Sequence, residues 1–191
     1  MNFFQEYTSD LKKTFDILPW DKLQNVVDLL NSARVDGRQV FIMGNGGSAS
    51  TATHMACDIA KNTAMPGQTR IKAISLNDNM AFFSALANDN GYENVFSEQL
   101  INLVQPGDIV LAISASGNSP NVLKAIETAK AHNAFTIGWS GYEGGKLSKI
   151  ADLSLVVHNH CIEQIEDIHL MLEHMVVQAL RRAAQAQPSA N

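Results

Sequence analysis

Two apolar runs set the strongest limit on what this chain can fold into. Residues 39–43 (QVFIM) and 108–113 (DIVLAI) run apolar with hardly a break. A strand with one face in water alternates polar and apolar residues. A continuous run marks a strand covered on both faces, as in a parallel sheet flanked by helices. Each run passes directly into small residues and then into a helix pattern. MGNGGSAS leads into a helix over 48–61, and SASGNSP leads into one over 121–131. Further strands are predicted at 71–76, 134–139 and 153–157, with helices at 80–87, 95–103 and 162 to about 184. Repeated strand–loop–helix order predicts an α/β three-layer sandwich around a mainly parallel sheet.

Two helices precede the first strand. Phe4, Tyr7, Leu11 and Phe15 form a stripe over 3–15, and Pro19 interrupts it. Leu23, Val26, Val27 and Leu30 share one face over 21–34, before Gly37 ends the helix. These helices exceed a minimal α/β unit and are expected to pack on the sheet or on another subunit. No linker-like composition divides the chain, so residues 1–184 are expected to form one domain, with 1–36 as its helical N-terminal part. Residues 185–191 are expected to be a disordered tail.

Charge and composition remove several function classes. A net charge of −5 argues against a broad nucleic-acid surface, which needs a basic face. No apolar run approaches the roughly 18–20 residues that span a bilayer. The N-terminal MNFFQEYTSDLKK lacks the apolar core of a signal peptide, so the expected location is cytoplasmic. Cys57 and Cys161 lack CxxC spacing and are read as partly buried, reduced thiols.

The loops at the two strand ends carry the chemistry. Gly44-Asn45-Gly46-Gly47-Ser48-Ala49 fits the dinucleotide pattern G-x-G-x-x-A. That reading also needs an acidic residue about 20 positions later, where the chain has Pro66-Gly67-Gln68-Thr69-Arg70. The P-loop reading fails because GK[ST] is absent. What remains is a glycine nest at a helix N-terminus, which favours anions. Ser114, Ser116 and Ser119 add three hydroxyls on the second loop. Any one of them could simply cap a helix. The pair of loops together predicts a phosphate or phosphosugar cradle.

GNGGSA after one strand and ISASGNSPN after another resemble the sugar isomerase (SIS) domain. THMACDIAK, ALANDNGYENVF, GYEGGKLSKIADL and IEDIHLMLEH narrow the resemblance to the sedoheptulose 7-phosphate isomerases, or phosphoheptose isomerases, over about residues 3–180. The resemblance implies a flavodoxin-like sheet and a homotetramer with sites shared between subunits. It further implies isomerisation of an open-chain ketose phosphate to an aldose phosphate, commonly with bound Zn2+. On this resemblance Asn45, Gly46, Gly47 and Ser48 contact the sugar phosphate, and Ser114, Ala115, Ser116 and Ser119 hold the phosphate. Asp89 would touch substrate hydroxyls.

His54 and Asp58 lie four apart on one predicted helix, and Glu166 and His174 lie eight apart on another, each pair roughly on one face. Spacing alone also fits a surface pair. The resemblance assigns His54, Asp58, Glu166 and His174 to the metal, Glu166 also to substrate, with Asp58 as catalytic base and His174 as acid. Well-known members carry Glu at the position of Asp58 and Gln at that of Glu166. The shorter Asp58 withdraws its carboxylate by roughly 1.5 Å, and Glu166 adds a negative charge. His169 is about 140° around the helix from His174 and is read as structural. His132, His158 and His160 are expected to face solvent. Lys61 is either a phosphate cation or a solvated helix-end lysine. The leading function is aldose–ketose isomerisation through an enediol. The alternative is a non-catalytic SIS module that binds a phosphosugar or a protein partner, like the replication-initiation regulator that resembles the same family.

Overall fold

The computed structural model describes residues 2–186. In chain order the elements are α1 (Phe3–Asp16), α2 (Trp20–Asp36), β1 (Gln39–Gly44), α3 (Gly47–Asn62) and β2 (Lys72–Ser75). Then come α4 (Met80–Asp89), a 3-10 turn at Tyr92–Asn94, α5 (Ser97–Leu103), β3 (Ile109–Ser114) and α6 (Pro120–Ala131). The last are β4 (Phe135–Gly141), α7 (Leu147–Ile150), β5 (Leu153–Val157) and α8 (Ile162–Ala186). The strands form one sheet in the order β2-β1-β3-β4-β5, and every pair is parallel.

Period-two alternation along each buried strand feeds two cores. Val40 and Ile42 of β1 join Leu111 and Ile113 of β3 on one face, under α2, α3 and α8. Phe41 and Met43 join Val110 and Ala112 on the other, under α4, α5, α6 and α7. The three-layer sandwich and the parallel, flavodoxin-like sheet are as the sequence predicts. Helix α2 packs on the sheet through Leu23, Val26 and Leu30. Helix α1 lies outside it, its Leu11 and Phe15 against that core and its Tyr7 hydroxyl donating to Asp167 of α8 at 2.5 Å.

Several predicted boundaries shift for physical reasons. β2 is an edge strand paired only with β1, and it contracts to four residues. The helix expected from 95 starts at Ser97, because Tyr92–Asn94 forms a tight 3-10 turn first. α7 was not foreseen, being a single turn too short to show a period. α8 runs through Gln185 and Ala186, so those two positions of the expected tail are helical, and 187–191 lie outside the described residues. Among the described residues, no helix is long and apolar enough to cross a membrane.

The topology fixes where a ligand can sit. The chain steps from β1 outward to β2, then crosses back to β3 on the other side of β1. Such a reversal leaves a crevice beyond the carboxyl ends of β1 and β3. The glycine loop follows β1 and the serine loop follows β3, so both open into this crevice.

Candidate functional site

The glycine loop is shaped by its own backbone. A Cβ on Gly44 would come within 2.6 Å of the Ser48 carbonyl oxygen, so only glycine permits the turn into α3. Gly46 has a φ of 55° and caps that helix, its carbonyl accepting from the Ala49 and Ser50 N–H groups at 3.0 and 3.2 Å. Asn77, just past β2, clamps the strand end. Its amide oxygen accepts from the Gly44 N–H at 3.3 Å, and its amide nitrogen donates to the Gly44 carbonyl at 3.0 Å.

The serine loop lies directly beside it. Ser114 and Ser119 hydroxyls are 3.1 Å apart, and the Ser116 hydroxyl accepts from the Asn118 N–H at 3.2 Å. The Ala115 carbonyl accepts from the Gly141 N–H at 2.8 Å, tying the loop to β4. An amide pair joins the two loops. Asn45 donates to Asn121 and Asn121 donates back to Asn45, both at 2.9 Å, and the Tyr92 hydroxyl donates to Asn45 at 2.9 Å. Sequence reasoning passed over Asn77, Tyr92 and Asn121, whose roles depend on contacts across 33, 47 and 76 residues.

A cavity of about 720 Å³ opens from this cradle along α3. Gly44, Asn45 and Gly46 line one end, and His54 and Cys57 the other. Cys57 is exposed and Cys161 half-buried, and neither is in a disulfide.

At the His54 end, α3 packs against α8. His54 and His174 meet edge to face with ring centroids 5.1 Å apart. His54 Nε2 is 3.7 Å from Asp58 Oδ2, and His174 Nε2 is 3.3 Å from Glu173 Oε2. Ligand atoms of His54, Asp58, Glu173 and His174 all lie within 4.8 Å of one another. Two imidazoles and two carboxylates are a donor set that divalent transition metals accept. Glu173 is fully buried, and neither of its oxygens has a hydrogen-bond partner. Burial, with the Asp58 charge nearby, pushes its pKa up to about 7.

A model of the SIS domain matches residues 2–141. The phosphoheptose isomerase of Helicobacter hepaticus is 35% identical over 173 residues, covering 91% of this chain and 87% of the relative. The probable phosphoheptose isomerase of Thermoplasma acidophilum is 36% identical over 156 residues, covering 82% and 85%. The chain belongs to the SIS-domain family, among the phosphoheptose isomerases. The phosphoheptose isomerase structure from Neisseria gonorrhoeae superposes with a TM-score of 0.85 at 27% identity, over 94% of this chain and 95% of that one.

Within this SIS fold the expected residues divide into three groups. Asn45 and Gly46 line the cavity, Gly47, Ser48, Ser114, Ala115, Ser116 and Ser119 sit in or next to the two joined loops beside it, and His54, Asp58 and His174 gather at the cluster. Glu166 goes elsewhere. Its carboxylate lies against Gly47, where a Cβ would collide with it, and Glu173 takes the fourth place in the cluster. Eight residues of helix rise about 12 Å, so Glu166 sits level with the glycine loop while His174 sits two turns further along. Asp89 is exposed at the far end of α4, accepting from the Asn88 amide at 2.6 Å, and does not line the cavity. Lys61 is exposed in the last turn of α3, about 21 Å of helix from Gly47.

The remaining histidines are not part of the cluster. His169 is buried against Trp139, and its Nε2 donates to the Ser140 carbonyl at 3.3 Å. His132, expected to face solvent, is half-buried, with Nδ1 against the Thr128 carbonyl at 2.8 Å. His158 and His160 are exposed as expected, with Glu143 within 3.9 and 3.5 Å.

Proposed function

We propose that the chain is an aldose–ketose isomerase that converts sedoheptulose 7-phosphate to a heptose 7-phosphate for heptose-containing glycan synthesis. The observation that carries this reading is one cavity that runs from the glycine loop to His54 of the imidazole–carboxylate cluster, with the serine loop joined to the glycine loop through Asn45 and Asn121. The phosphate is held by N–H groups of the α3 first turn and by the Ser114, Ser116 and Ser119 hydroxyls. Asn45, fixed by Asn121 and Tyr92, orients the sugar chain.

Isomerisation moves one proton between adjacent carbons and a second between their oxygens. Asp58 serves as the base that removes the C1 proton of the ketose, leaving an enediol. His174 serves as the acid at the carbonyl oxygen. Return of the proton to C2 gives the aldose. Zn2+ fits the donor set, and when bound it supplies Lewis-acid stabilisation of the negative charge that develops on oxygen. The protein works as a cytoplasmic homotetramer with sites at subunit interfaces. Exposed Phe3, Phe4, Ile17 and Trp20 on the N-terminal helices support association. An interface also gives Asp89 and Lys61 a route to a neighbour's site. The non-catalytic alternative is not favoured, since the curated relatives at this level of identity carry the isomerase name.

The test is turnover of sedoheptulose 7-phosphate in D2O followed by NMR. Solvent deuterium should appear at C2 of the product, and Asp58→Asn should abolish turnover while inorganic phosphate still competes for binding. Conversion without solvent deuterium would exclude the exchanging enediol, and an Asp58→Asn variant at the native rate would remove Asp58 as base.

A further inference from the structure

The sequence pattern and the buried geometry of α8 single out a residue that the family resemblance does not. Its buried positions run Gln164, Ile165, Ile168, His169, Leu172, Glu173, Val176, Val177, Leu180 and Ala184, a stripe at steps of three and four in which Gln164 bonds Asn159 and Tyr7 and His169 bonds Ser140. Glu173 stands inside this stripe, where the period calls for an apolar residue. A carboxylate there loses its hydration and must recover it from partners. Neither Glu173 oxygen receives a hydrogen bond. The groups that surround it are the His174 and His54 imidazoles and the Asp58 carboxylate. Imidazoles offer lone pairs to a cation, and a second carboxylate repels the first unless a positive charge lies between them.

We infer that Glu173 is a direct ligand of the divalent cation at this site, completing with His54, Asp58 and His174 a set drawn from one subunit. Glu166 then lies beside Gly47 at the start of α3, and not at the metal. The inference rests on reading this cluster as a cation site, and it is independent of which sugar is converted. It also accounts for the shorter Asp58. A second carboxylate from α8 supplies charge and a donor atom where the first has drawn back.

The experiment uses the full-length chain stripped of metal and titrated with Zn2+ against a chelating dye. Wild type is compared with Glu173→Gln, Glu173→Leu and Glu166→Ala. Losing a supporting residue around a metal typically lowers affinity about 10–100-fold. Both Glu173 variants should therefore lose at least about 100-fold, whereas Glu166→Ala should stay within about 3-fold of wild type. A second readout separates ligand loss from misfolding. Removing a buried, unpaired charge should raise the melting temperature of metal-free Glu173→Leu, while added Zn2+ should no longer raise it further. Native Zn2+ affinity in both Glu173 variants, with wild type binding normally, would overturn the ligand assignment and leave the cation site standing. A wild-type chain that binds no Zn2+ would overturn both. A 100-fold loss in Glu166→Ala with none in Glu173→Gln would return the place to Glu166.

Discussion

Acidification should destabilise this protein through one histidine far from solvent. His169 is 1% exposed, packed on Trp139, with Nε2 bonded to the Ser140 carbonyl and Nδ1 without a partner. Burial disfavours the imidazolium and lowers its pKa from 6.5 to about 4, with the Ser140 carbonyl opposing only in part. The unfolded chain therefore binds a proton more readily than the folded one. Stability from this group is complete above pH 6.5 and is lost as pH falls toward 4. That separation amounts to roughly 3 kcal/mol in full, most of which is gone at pH 4.5. The assay is urea unfolding of wild type and His169→Phe at pH 7.5 and pH 4.5, with chelator present so that metal release does not enter. Carboxylate titrations are common to both chains and cancel in the difference. Wild type should lose roughly 2–3 kcal/mol more than His169→Phe on going to pH 4.5. Equal losses would mean that His169 is hydrated or already charged in the folded state, and the buried-imidazole argument would fail.

The cradle makes further expectations. Asn121→Ala removes both amide bonds to Asn45, each worth about 1 kcal/mol. KM for the sugar phosphate should rise about 10-fold or more while kcat changes little. An unchanged KM would show that Asn45 needs no support from α6. Gly46→Ala meets no atom within 4 Å, but at φ 55° and ψ −124° it must hold a backbone conformation that only glycine adopts readily, a strain of about 1–3 kcal/mol measurable as a drop in melting temperature. Gly44→Ala drives a Cβ into the Ser48 carbonyl and should abolish phosphate protection of the chain against heat. If the two glycine variants lose phosphate binding equally, the close approach at Gly44 is not what shapes the loop.

Local chemistry was legible in the sequence, and contacts between distant helices were not. The two loops could be read because their glycines and hydroxyls act through their own backbone and sit at the ends of strongly apolar strands. The sheet class followed from residues 39–43 and 108–113 for the same reason. Glu166 and Glu173 differ only in which part of α3 each faces, and that depends on how α8 is docked against it. The helical period alone did contain a signal for Glu173, a charge among stripe positions Ile165 to Leu180. Eight residues, by contrast, leave Glu166 and His174 about 80° apart and 12 Å along the axis, a loose basis for a shared ion.

The docking of α3 beside α8 also bears on the length of the substrate. Gly47 lies level with Glu166, and His54 and Asp58 lie level with Glu173 and His174, so the two helices run in the same direction through the site. From Gly47 to His54 the axis rises seven residues, about 10 Å. In an extended heptose 7-phosphate, six carbon–carbon bonds and the phosphate ester put C1 about 10 Å from phosphorus. On the proposed reading, a phosphate seated at the first turn of α3 therefore brings the reacting C1 and C2 to His54 and Asp58. A triose phosphate anchored at the same loop would end near Ser50, well short of the cluster, with no base in reach. On that reading phosphate binding contributes to selectivity as well as affinity. It measures the sugar from one end, and α3 sets the distance to the groups that move the proton.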